Sequence, residues 1–199
     1  MPDDPDPVEL RRQAVQAALD AERSARERNR LGQFATPYRL AAEIAEFVRG
    51  VAGADLGAVR FADPAIGTGS FYSAARHVFG PDRLAAAVGV EVDPAFADAA
   101  RAVWTGTNLR VETADFTRLL AGRARPPAPN LVLAHPPYVR HHHLGRDDKE
   151  RLRALVEGLT GVSLNGLAGL YAYFLLAATA WMEDGGYAAW LIPSEFMDV

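Results

Sequence analysis

Cysteine is absent from the chain. That excludes a disulfide framework, a zinc knuckle and a thiol nucleophile, and it fits a reducing compartment. Lysine is nearly absent too: among 21 basic residues only Lys149 is lysine. Against 25 acidic residues this leaves a net charge of −4, so the basic footprint of a stand-alone nucleic-acid binder is missing. The opening carries Asp3, Asp4, Asp6 and Glu9, where a secretion signal would carry basic residues. A long membrane-type run is also lacking. No residue from Leu159 to Met182 is charged, but Gly161, Asn165, Gly166 and Gly169 break the first part. The apolar remainder, Leu167 to Met182, is shorter than the roughly 20 residues a span needs, and a buried helix is expected there. The expected setting is cytoplasmic.

What is present is 199 residues, 49% of them hydrophobic, enough for one domain with a core and too little for two. Residues 8–29 read as a charged helix in a segment 1–30. Its Arg11, Arg12, Arg23, Arg26, Arg28 and Arg30 either touch phosphates or belong to a solvated face, since Glu9, Asp20, Glu22 and Glu27 are mixed in,. Gly-Gln-Phe-Ala-Thr-Pro follows at 32–37, with Thr36 expected to cap a helix over 38–50 and Pro37 to open it. Strands are expected at 59–62, 84–92, 109–112, 130–134 and 187–192. Helices are expected at 70–79, from Pro94 to about Trp104, at 147–158 behind a capping box Asp147-x-x-Glu150, and at 168–182. This alternation predicts an α/β fold, a mostly parallel sheet with helices on both faces.

Ligands of such sheets bind at the carboxyl ends of the strands. Asp63, Glu91, Asp115 and His135 fall at those ends. A strand-end carboxylate is by itself an ordinary helix cap, but four such residues in register suggest one crevice. Asp63-x-x-x-Gly67-Thr-Gly69 is a glycine loop, yet Tyr72 stands where a dinucleotide fingerprint needs its third glycine, and no Gly-Lys-Ser/Thr marks a phosphate loop,. A carboxylate at Asp63 repels a pyrophosphate and suits an ammonium group. Glu91 suits a ribose diol. Asp115 suits an exocyclic amine, with Phe116 packing on a purine. An amino acid, a ribose and an adenine together make S-adenosylmethionine.

The order of Gly-Gln-Phe-Ala-Thr-Pro (32–37), Asp-Pro-Ala-Ile-Gly-Thr-Gly-Ser-Phe (63–71), Glu91, Asp115-Phe116, His-Pro-Pro-Tyr (135–138) and Gly-Tyr-Ala-Ala-Trp-Leu-Ile-Pro (186–193) resembles the amino-group DNA methyltransferases that make N6-methyladenine in restriction-modification and phage-defence systems. The resemblance covers about 31–199. It implies a Rossmann-like class I fold that uses S-adenosylmethionine. Thr36 and Pro37 would meet the methionine end of the cofactor and Asp63 its ammonium, with Ala65, Gly67 and Gly69 lining the loop. Glu91 would hold the ribose, Asp115 the adenine amine, and Phe116 the ring. Phe174 would face the cofactor or serve as core.

The family's catalytic pattern is Asn-Pro-Pro-Tyr, and here His135 replaces the Asn before Pro136, Pro137 and Tyr138. In the family two acceptors, the Asn oxygen and the carbonyl of the first proline, grip the amine, whose nitrogen then attacks the methyl group in line. Tyr138 would stack on the flipped base. Neutral histidine offers one acceptor nitrogen, with Nδ1 near the place of the Asn oxygen, and protonated histidine offers none. An unperturbed imidazole titrates near pH 6.5, so activity is expected to rise between about pH 5.5 and 7.5. His135 is then a tolerated variant, an engineered block or a natural loss of activity.

In the family two further strands and a target-recognition domain follow the strand ending near Pro193. The expectation is therefore a catalytic domain at 31–199, incomplete at its carboxyl-terminal edge, with DNA held through another module or through defence-system subunits. Two other functions fit: methylation of a protein glutamine amide, or a silent module that binds cofactor or a partner. His141-His142-His143 is expected on a loop or flanking the base pocket rather than on a metal. Ser194 and Glu195 lack a triad context, and Trp181 and Trp190 are expected in the core.

Overall fold

The computed structural model describes residues 5–24, 26–28, 32–53, 56–122 and 125–194. Arg30 and Glu195 lie outside them. Five strands form one sheet: β1 (Val59–Asp63), β2 (Leu84–Glu91), β3 (Leu109–Thr113), β4 (Leu131–Ala134) and β5 (Tyr187–Trp190). Their order is β3-β2-β1-β4-β5 and every neighbouring pair is parallel. Strand order therefore reverses between β1 and β4, the switch point where open α/β sheets form a ligand crevice.

Strand side chains alternate between two cores, as a pleated backbone dictates. Val59, Phe61, Leu131 and Leu133 face one side, against α2 (Tyr38–Ala52), α3 (Ser70–Phe79) and α4 (Pro94–Val103). Ala62, Val88, Val90, Val132 and Ala134 face the other, against α5 (Phe116–Ala121) and α7 (Leu170–Trp181). A third cluster of Leu152, Val156 and Tyr173 packs α6 (Arg146–Thr160) on α7. Only one face of α7 is buried, at Tyr173, Phe174, Ala177, Ala178 and Trp181, so this apolar helix is a half-buried element rather than a fully buried one. No helix among the described residues is long and apolar enough to cross a membrane. Trp190 is half-buried against the second core.

The first helix, α1 (Pro7–Ala21), ends well before residue 29. Asp6 caps it by accepting from the Glu9 amide. Its charges are not simply a solvated face. Glu9 is 1% and Arg12 3% exposed. The Arg12 guanidinium donates from Nε and Nη2 to the two oxygens of Glu9, at 2.8 and 2.7 Å, and from Nη1 to Thr68 Oγ1 at 2.9 Å. Thr68 in turn donates to Gln16 Oε1. Arg23 pairs with Asp93 and lies over the Phe96 ring at 5.1 Å, and Arg28 donates to the carbonyls of Asp20 and Arg23. Three of the arginines that sequence offered to phosphates are thus engaged within the fold.

Two expected caps differ. Thr36 does not cap α2; Pro37 occupies the cap position without a side-chain bond. Gly145 stands at the cap of α6, also without one, and Asp147 lies in its first turn.

Candidate active site

The four strand-end residues meet in one cavity of about 470 Å³. Asp63 and Glu91 are the last residues of β1 and β2. Asp115 follows β3 as the cap of α5, and His135 follows β4 directly. Thr36, Ala65, Gly67, Phe116 and Pro137 share this wall. Pro37, Gly69, Pro136 and Tyr138 do not line it. Gly69 has a different job: its φ is +96°, and an added Cβ would sit 2.4 Å from Trp104 Nε1. The Trp104 indole donates to Thr68 O at 2.9 Å and supports the loop from behind. Tyr138 instead lines a second cavity of about 850 Å³, together with Arg140, His141, His143 and Ser194; Phe34 borders both cavities. The three histidines form a single turn, His141–His143.

On the β1–β2 side the carboxylates are buried and held by their own loops. Asp63 is 2% exposed and accepts from the Ala65 amide at 2.9 Å. Burial pushes its carboxyl up to about 8; that amide opposes the shift and the Glu91 carboxylate adds to it,. Glu91 accepts from the Gly67 and Asp93 amides, each at 2.9 Å, and burial raises it above the ordinary range against those two bonds. Two buried acids in one cavity disfavour an anionic ligand and favour a cation, which would restore the ionised form of both.

Asp115 does the ordinary work of a helix cap. Its Oδ1 accepts from the Thr117 amide at 2.8 Å and the Thr117 hydroxyl at 2.6 Å. Oδ2 lies 3.5 Å from Arg118 Nε and 3.8 Å from Arg151 Nη2. Phe116 is 2% exposed and packs on Phe174 and Trp181, at ring separations of 5.2 and 5.7 Å. Phe174 is thus core, with part of its surface on the cavity.

On the β4 side His135 Nδ1 lies 3.0 Å from Thr36 Oγ1, so the hydroxyl expected to cap α2 is used at the site. Nδ1, expected as the acceptor toward the substrate, is thus engaged by Thr36, and it is the buried Nε2 that lacks a hydrogen-bond partner. Burial pushes the imidazole down to about 4, so His135 is neutral throughout the range in which an exposed histidine titrates. The expected activity rise between about pH 5.5 and 7.5 therefore has no source in this residue. The Tyr138 ring stands edge-on to His135 at 4.8 Å, and its hydroxyl donates to Leu191 O at 2.8 Å. Gly32 has φ +65°, and a Cβ there would come within 2.5 Å of Tyr138 N, so glycine lets the amino-terminal stretch lie against the backbone of Pro137 and Tyr138.

Sequence reasoning missed one wall of the cavity. Arg12, Gln16 and Asp20 of α1 line it, as does Arg151 of α6. The one signal was Glu9-x-x-Arg12, a spacing that pairs charges on one helix face.

No family model matches the chain. It is 34% identical over 147 residues to the Type II methyltransferase M.XamI of Xanthomonas campestris pv. amaranthicola, a match covering 70% of this chain and 26% of that protein. The chain belongs with the restriction-modification methyltransferases. A shorter match, 34% identical over 67 residues, joins it to the Type II methyltransferase M.AccI of Acinetobacter calcoaceticus, covering 34% of this chain and 12% of that one. The chain spans about a quarter of the first relative's length and less of the second's. Solved structures agree on a class I S-adenosylmethionine-dependent methyltransferase fold. The type IIG restriction endonuclease BpuSI superposes with a TM-score of 0.72 at 16% identity, over 95% of this chain and 22% of that one. A Listeria monocytogenes protein described as a class I S-adenosylmethionine-dependent methyltransferase gives 0.67 at 15% identity, over 94% and 56%.

Proposed function

We propose that this chain carries the cofactor-binding and amine-positioning parts of a DNA methyltransferase acting on the N6 amine of adenine. The observation that carries the proposal is the pair of buried carboxylates, Asp63 and Glu91, at adjacent strand ends in one cavity. They suit S-adenosylmethionine, which brings an ammonium and a sulfonium to a place where burial raises both acids above the ordinary range. Asp63 would accept from the ammonium, Glu91 from the ribose hydroxyls and Asp115 from the adenine amine, beside Phe116. Thr36, Ala65 and Gly67 would border the methionine end. The cofactor supplies an electrophilic methyl group. His135 Nε2 would accept from one N–H group of the substrate amine, which helps localise the nitrogen lone pair for in-line attack; the N–C bond forms as the S–CH3 bond breaks, the thioether product leaves and the amine's proton passes to water. Tyr138, with Phe34 beside it at 5.8 Å, stacks on a base flipped out of the duplex.

The substrate is DNA inside the cell. The acidic balance of the chain puts sequence readout on another module or subunit. Residues 31–199 act as the catalytic part, with 1–30 as an arm whose helix α1 completes the cavity wall. Methyl-labelled S-adenosylmethionine, supplied to the full-length protein with DNA, should yield labelled N6-methyladenosine on nucleoside digestion. Label on a protein glutamine instead, or on cytosine, contradicts the proposal. Absence of transfer with intact cofactor binding supports the silent-module reading, which the histidine at position 135 favours.

A further inference from the structure

His135 is where the chain departs from Asn-Pro-Pro-Tyr, and the departure changes what must be controlled. A side-chain amide always carries an acceptor oxygen. A neutral imidazole carries one N–H and one lone pair, and the hydrogen bond made by one nitrogen decides which is which. Nδ1 is 3.0 Å from Thr36 Oγ1, Nε2 is buried with no partner, and His135 borders the cavity. A threonine hydroxyl can donate or accept. If it donates to Nδ1, then Nε2 carries the hydrogen and opposes an incoming amine. If it accepts from Nδ1–H, then Nε2 shows its lone pair. Thr36 is itself fixed: it is 8% exposed, and its carbonyl accepts from the Ser70 hydroxyl at 2.9 Å.

We infer that Thr36 is a positioning residue that accepts the Nδ1–H of neutral His135, so that Nε2 keeps its lone pair as the acceptor for one N–H of a primary amine on a planar base. The inference rests on the amine-methylation reading above and adds the residue that makes a histidine workable in it. A buried lone pair left unmet is unfavourable, so an amine N–H relieves a defect already present in the free protein. Burial of the imidazole supports this arrangement, because an imidazolium would carry hydrogen on both nitrogens.

Long-range proton–nitrogen NMR on the full chain, with histidine labelled in nitrogen-15, reports which ring nitrogen of His135 carries hydrogen. The signals are assigned by their loss in His135→Asn. At pH 7 the wild type and Thr36→Ser should show Nδ1 protonated and Nε2 bare, with 9-ethyladenine shifting the Nε2 signal. Thr36→Val removes the hydroxyl and should move the hydrogen to Nε2 in most molecules. Hydrogen on Nε2 in the wild type, or no change in Thr36→Val, overturns the inference. If Thr36→Val fails to fold, the wild-type and serine spectra still decide. Nδ1–H together with no methyl transfer by the full-length protein sinks the methyl-transfer reading and leaves the role of Thr36. Methyl transfer together with hydrogen on Nε2 does the reverse.

Discussion

The two sides of the cavity are built on opposite principles. On the β1–β2 side every buried acid is met by its own loop: Asp63 by the Ala65 amide, Glu91 by those of Gly67 and Asp93. On the β4 side the buried Nε2 of His135 is met by none. Burial acts on both sides in one chemical direction, toward the neutral form. It pushes the Asp63 carboxyl up to about 8 and the His135 imidazole down to about 4,. A cation entering the first side reverses that neutralisation. An amine entering the second side leaves the imidazole neutral and satisfies its open nitrogen. On the proposed function one half would recognise charge and the other a hydrogen.

The sharpest way to separate the halves is His135→Ala. It should lower methyl transfer by the full-length protein about 10²-fold or more, the scale for removing one group that grips a reacting atom. S-adenosylmethionine affinity should change less than about twofold. Equal losses in both would mean that the two sides are not distinct.

Glu91→Ala attacks the other half. Loss of a buried charge-assisted acceptor costs about 1–3 kcal/mol, or roughly 5- to 150-fold in dissociation constant by calorimetry. Unchanged affinity would remove Glu91 from the cofactor site. Gly69→Ala tests the scaffold beneath. The positive φ and the contact with Trp104 should cost about 1–3 kcal/mol in urea unfolding; a neutral result would mean that the loop gives way easily.

Stability against pH tests the same comparison, and the signs differ between the halves. The folded value of His135, about 4, is below its ordinary one near 6.5. The unfolded chain therefore binds more protons between these values, and stability rises with pH across that window. The folded value of Asp63, about 8, is above its ordinary one near 4. Here the folded chain binds more protons, and the contribution of Asp63 falls as pH rises from about 4 to 8. Urea melts should show His135→Asn removing the acid-side slope and Asp63→Asn the opposing one. Unaltered slopes would mean that neither group titrates as its burial implies.

Much of this arrangement was legible in the sequence because strand ends and glycine loops are local features. Glu91 and His135 each end a run of apolar residues, and Asp63 and Asp115 each close a short strand segment. The parallel sheet followed from strand–helix alternation. The six-residue helix α5 was not expected, since it is too short for a periodic signal. Thr36 was misread as a cap because Thr-Pro is a sound local rule, and only the tertiary contact with His135, 99 residues away, overrides it. Arg12, among mixed charges, fits a phosphate contact or a solvated face by sequence alone, whereas its partner Thr68 lies 56 residues further on. The pKa of His135 depends on burial that no neighbouring residue in the sequence reveals.

Calorimetry of S-adenosylmethionine binding at pH 7, repeated in two buffers of different ionisation heat, tests the central claim most directly. If the carboxylate side is built for a cation, ionisation of a protonated Asp63 should accompany binding, with release of about one proton per molecule bound. Affinity should then rise with pH up to about 8, and Asp63→Asn should bind more weakly and release none. No binding by the wild type, or the same proton count in wild type and Asp63→Asn, would contradict the account.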